Sequence, residues 1–227
     1  SRDFEISPNV LTDGVQSKGI FVNGTEIKTD GSKNSLRREG TNLIISLEQP
    51  ILPKTKAEVK FNWNFFIPNE SQIRMGAYDS TTFFIAYWFP QVAVYDDIDG
   101  WDVVSYTGQT ETYNDFSNYD VEITVPKNFL VWSTGILLNP KEVLSTEVYE
   151  KYKKAYSSDT VIKIVEEKDY QKGLVTADEE KLAYKFKAEN VMDFAFAASD
   201  HYLWDGSSLI VDKISGRRTF IDAAYNK

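Results

Sequence analysis

The chain has 227 residues, 42% hydrophobic and 26% charged, with 25 Lys and Arg against 34 Asp and Glu, a net charge of -9, and no cysteine. The length suits one large domain or two small ones with a real core. The acidic balance makes nucleic acid and anionic membranes poor partners, and zero cysteines exclude a disulfide framework, thiolate metal sites and a cysteine nucleophile.

No apolar run approaches the ~18 residues of a membrane span. Ser1-Arg2-Asp3 is neither an initiator nor a signal peptide, so the sequence reads as cut from something longer. One histidine, His201, sits in Ser199-Asp200-His201-Tyr202 with no zinc-binding pattern and no nucleophile elbow around it. A mononuclear catalytic zinc usually wants two or three histidines, so this sequence predicts no metal or other cofactor of its own. His201 reads as a solvated loop or edge residue.

In chain order, alternation with period two dominates. Short strands are predicted at Gly19–Val22 and Leu43–Leu47. From Ala57 to Phe66, Val59, Phe61, Trp63 and Phe65 share one face and Lys60, Asn62 and Asn64 the other, which places Trp63 in a core. From Tyr119 to Val125 the apolar residues alternate with Asp120, Glu122 and Thr124. Phe129–Ser133 and Val161–Val165 follow. From Lys181 to Lys187, Leu182, Tyr184 and Phe186 oppose three lysines and Ala183. Val191–Ala198 and Leu209–Ile214 complete the set. Turn signals separate the strands at Asn23-Gly24, Asp30-Gly31, Pro50 and Pro53, Pro68-Asn69, Asp99-Gly100 and Asp205-Gly206.

One segment reads as helix, Pro140 to Tyr156, with Asn139 as its cap, Pro140 in its first turn and Glu142 completing a capping-box spacing. The predicted class is therefore mainly β: an antiparallel sandwich or saddle-like set of sheets with one helix near 140–156, in a single domain over residues 1–227.

Between Arg74 and Lys127 there is no Lys or Arg, while Asp79, Asp96, Asp97, Asp99, Asp102, Glu111, Asp115, Asp120 and Glu122 all fall there among twelve aromatic residues. Such a surface suits a cation, an amine or a sugar. A calcium loop over Asp97–Asp102 fails the EF-hand spacing, because Tyr95 and Tyr106 stand at ligand positions. A carbohydrate-binding β-sandwich would use some of Trp101, Tyr106, Tyr113 and Trp204 as a stacking platform.

The same segment resembles a known family. Tyr87-Trp88-Phe89-Pro90-Gln91, Val94-Tyr95-Asp96-Asp97, Gly100-Trp101 and the strand Phe116 to Pro126 resemble the amino-terminal domain of M1-family zinc aminopeptidases, in the branch found in Bacteroidetes-type bacteria. Val22-Asn23-Gly24 upstream and Val191 to Ser199 downstream fit the same order. Gln91 stands where the family has a cysteine, and Asp96-Asp97-Ile98 where it has Asp-Glu-Pro. The family's His-Glu-x-x-His and Gly-x-Met-Glu-Asn motifs belong to its catalytic domain and do not occur here. The resemblance implies a non-catalytic domain that packs on the parent's zinc-bearing catalytic domain. It would border a peptide cleft through Tyr78, Asp79 and Ser80 and through Asp96 and Asp97, meeting peptide substrate only indirectly. It also implies an extracytoplasmic protein.

Overall fold

A computed structural model describes residues 7–28, 34–71, 74–107, 113–173 and 175–227. The predicted Asp30-Gly31 turn and Glu111 lie outside the described residues. The fold is mainly β, with 45% strand against 11% helix, in antiparallel sheets. The chain gathers into two compact units, Ser1–Pro68 with Phe89–Asp115, and Asn69–Trp88 with Phe116–Lys227.

The first unit is built on a three-stranded sheet in which Gln16–Val22 lies between Thr25–Glu26 and Val59–Asn64. Asn23 and Gly24, both at positive φ, turn the chain as the sequence predicts. Ile20, Val22 and Ile27 form the core, with Leu36, Ile45, Leu47 and Phe61 packed against them. The expected alternation along Val59–Asn64 is present, but Trp63 is half-buried and not a core residue. Its strand is the last in the sheet order among the described residues, so no further strand flanks the indole on its outer side. The hairpins Ser35–Glu39 with Asn42–Ser46 and Tyr95–Asp96 with Gly100–Trp101 complete the unit.

In the second unit Ser117–Pro126 pairs with Lys181–Val191 so that Val121 meets Phe186 and Ile123 meets Tyr184. Ile123, Leu182, Tyr184 and Phe186 are buried. On the outer face the register sets Asp120 opposite Lys187 and Glu122 opposite Lys185, so two acids of the base-free segment lie across the ladder from lysines. The predicted turn at Asp205-Gly206 is instead the middle of the strand Leu203–Asp212. A Cβ at Gly206 would come within 2.7 Å of Ile164 Cδ1 and 3.0 Å of the Phe220 ring; the glycine permits close packing there and makes no bend.

The helical segment is corrected in three ways. It breaks after Pro140–Val143, where Leu144 is extended, and restarts as Thr146–Ala155 with Ser145 as its cap, its hydroxyl accepting the Val148 N–H at 3.3 Å. Asn139 does not cap. Its side-chain amide donates to Ala183 O and accepts the Lys185 N–H, both at 2.9 Å, clamping the first turn to a strand. A further helix, Glu167–Gln171, is held by Asp169, whose buried carboxylate accepts Glu166 N–H and Lys151 Nζ at 3.0 Å each.

Candidate functional site

The four-stranded sheet of the second unit runs in the order Leu130–Ser133, Phe196–Ser199, Thr82–Ile85, Met75–Ala77. Its register sets Thr82 opposite Ser199 at one end of the ladder. The turn before Thr82 and the turn after Ser199 must then emerge side by side. That is how Tyr78, Asp79 and Ser80 come to lie beside Asp200, His201 and Tyr202.

At the base, the buried Thr82 and Ser199 hydroxyls share a 2.8 Å hydrogen bond. Above them His201 Nδ1 lies 2.8 Å from Asp200 Oδ1, and Nε2 lies 3.3 Å from Asp79 Oδ2. Thr81 ties the two turns together, donating its hydroxyl to Asp200 Oδ1 at 2.7 Å and its N–H to Asp79 Oδ1 at 2.9 Å. Partial burial pushes the Asp79 carboxyl up. The Thr81 N–H, the Thr82 hydroxyl and the His201 ring outweigh it and hold Asp79 below the ordinary carboxylate value. Burial, with Asp79 nearby, pushes the Tyr202 phenol up. Tyr78 projects outward, 63% exposed.

Both ring nitrogens of His201 face carboxylates, and the nearest serine, Ser199, is wholly buried. A nucleophile and base need one nitrogen free for the reacting hydroxyl; here both nitrogens lie nearest carboxylates, with the Thr81, Thr82 and Ser199 hydroxyls further off at 3.4 Å. His201, read from the sequence as a solvated residue, is a cross-link between two turns. A strand register joins it to Asp79, and no local motif carries that information.

Asp96 and Asp97 belong to the other unit, in the hairpin Tyr95–Asp96 with Gly100–Trp101. Asp96 Oδ1 accepts the Asp99 and Ile98 N–H groups at 2.8 and 3.0 Å, which holds its carboxyl low. Asp102 Oδ1 likewise accepts the Val104 N–H at 3.0 Å. These acids order their own loop, and among the described residues no three His, Asp or Glu side chains are grouped to hold a metal ion. Asp97 is exposed. Trp101, Tyr106 and Tyr113 are exposed as a stacking platform requires, but Trp204 is not. Its indole donates to Asp222 Oδ2 at 2.8 Å and packs edge-on against Trp132 within the second unit.

Compared with models of protein families, with curated proteins and with solved structures, the chain matches none. Among the described residues no helix is long and apolar enough to cross a membrane.

Proposed function

We propose that the chain is the non-catalytic, β-rich first domain of an M1-like metallopeptidase, packing on the catalytic domain and bordering its peptide cleft. Zinc and bond cleavage belong to that catalytic domain, and export of the parent from the cytoplasm goes with the same reading. The observation that carries the proposal is the Asp79 turn: a carboxylate held ionised by Thr81, Thr82 and His201, beside an outward Tyr78. A peptide's free α-amine is a cation, and a fixed carboxylate orients it without itself reorganising. At an effective dielectric of ~20 such a contact is worth a few kcal/mol at most, less where water screens it.

Asp79→Asn in the full-length parent is therefore expected to weaken use of a free-amine peptide while leaving its N-acetylated analogue unaffected. Equal effects on the two peptides would remove Asp79 from the cleft. A second reading, a carbohydrate-binding module, rests on the edge-to-face pair Tyr95 and Trp101, with ring centroids 5.0 Å apart and both rings exposed. Trp101→Ala would abolish retention on immobilised polysaccharide if that reading holds.

A further inference from the structure

The strand Val59–Asn64 carries a feature that neither functional reading uses. Among the described residues it pairs on one side only, with Gln16–Val22. Glu58 accepts the Asn23 N–H on its carbonyl at 2.8 Å and donates its own N–H to Asn23 Oδ1 at 2.9 Å. Glu58 thus turns both backbone groups toward its paired neighbour. By the alternation of an antiparallel strand, Val59 and Phe61 turn theirs to the edge that carries no strand among the described residues. A shallow groove of about 450 Å³ opens at this strand, lined by residues 58–61 and Trp63 together with Phe89 and Pro90. Lys54, Lys56 and Lys60 are exposed along the same stretch against one acid, Glu58. None of the four forms an ion pair among the described residues, and the local charge is positive in a chain of net charge -9.

We infer that this groove takes an extended peptide that joins the sheet as a further strand, with apolar residues alternating with Asp or Glu. Its backbone would bond to Val59 and Phe61. Its apolar side chains would lie along Phe61 and Trp63 under Phe89 and Pro90, and its carboxylates would meet Lys56 and Lys60. Main-chain bonding supplies the affinity of such an added strand and the side chains its choice of sequence. Lysines on a strand edge also serve to repel other strands, and the experiment separates the two roles.

The test uses the whole chain and capped ten-residue peptides: one alternating valine and glutamate, one alternating valine and lysine, and the glutamate peptide N-methylated at alternate backbone positions. NMR titration is expected to show saturable binding of the glutamate peptide, about tenfold tighter than the lysine peptide, since two or three partly screened ion pairs supply a factor of that order. Amide exchange at Val59 and Phe61 should slow on binding, and N-methylation should abolish the effect. The double variant Lys56→Glu/Lys60→Glu, checked for an unchanged melting temperature, should reverse the preference between the two peptides. No binding, equal binding of both charges, or binding that survives N-methylation would overturn the inference. So would slow exchange at Val59 and Phe61 without peptide in a chain that sediments as a dimer, which would assign the edge to a second copy.

Discussion

His201 joins the two turns of the candidate site together with Thr81, and its contribution is bounded by exposure. The Asp79 side chain is 34% exposed and that of His201 39%, so water screens their attraction and the pair is worth about 0.5–1 kcal/mol. A double-mutant cycle on Asp79→Asn and His201→Gln is expected to return a coupling energy in that range; a value near zero would reduce the contact to coincidence of position. The pH dependence follows from the sign of the Asp79 shift. Its folded value lies below the ordinary 3.8, so its contribution is fully present above that value and fades as pH falls through the folded one. NMR titration of the Asp79 carboxyl should give a midpoint below 3.8 in the wild type, moving upward in His201→Gln. A second residue-scale case is steric. Gly135 has φ +90, and a Cβ there would stand 2.3 Å from the Lys187 carbonyl oxygen. Gly135→Ala should cost about 2 kcal/mol or more in chemical denaturation, since both backbone strain and a main-chain clash oppose it.

Elements with an uninterrupted period-two pattern were legible in the sequence, and those defined by their partners were not. Ser117–Pro126 and Lys181–Val191 bury alternate residues as read, because each strand faces one core and one solvent layer. Met75–Ala77 and Thr82–Ile85 carry no such alternation and exist through their ladders, with each other and with Phe196–Ser199. Since the ladder with Phe196–Ser199 creates the contact between Asp79 and His201, the candidate site was legible only in its first half. The broken helix shows the same limit. Asn139 followed by Pro140 has the local chemistry of a cap, yet Asn139 is 8% exposed and committed to two backbone groups of a strand. Asn139→Ala should therefore cost about 2 kcal/mol, because Ala183 O and Lys185 N–H would both lose their partner in a part-buried place. Ser145→Ala, which removes one cap bond at a helix terminus, should cost nearer ~1 kcal/mol. Chemical denaturation of the two variants ranks them, and a larger loss for Ser145→Ala would mean that Asn139 is not the clamp between helix and strand.

At the scale of the molecule, the acidic segment that dominates the sequence is not one acidic surface. Asp120 and Glu122 lie opposite lysines, Asp79 is held by His201, and Asp96 and Asp102 accept backbone amides. Asp97 and Asp99, by contrast, accept no side-chain or backbone hydrogen bond among the described residues and lie exposed in one tight hairpin with Asp96. The first unit holds 14 Asp and Glu against 9 Lys and Arg, and its Phe89–Asp115 part has six acids and no base. Like charges this close repel at low ionic strength, where the Debye length is ~30 Å at 0.01 M, and are screened at ~8 Å in 0.15 M salt. Salt also weakens the exposed ion pairs, but each of those is worth only about 0–1 kcal/mol, and acids outnumber bases in both units. Repulsion should win, and raising NaCl from 0.01 to 0.15 M should raise the melting temperature by a few degrees, on the scale of about 2–4 °C per kcal/mol for a chain of this size. Asp97→Asn/Asp99→Asn should raise the melting temperature in low salt and flatten its salt dependence, because it removes charge without removing a bond. A melting temperature that falls with added salt, or a double variant less stable than the wild type, would mean that these two carboxylates are held by attractive partners and are not self-repelling.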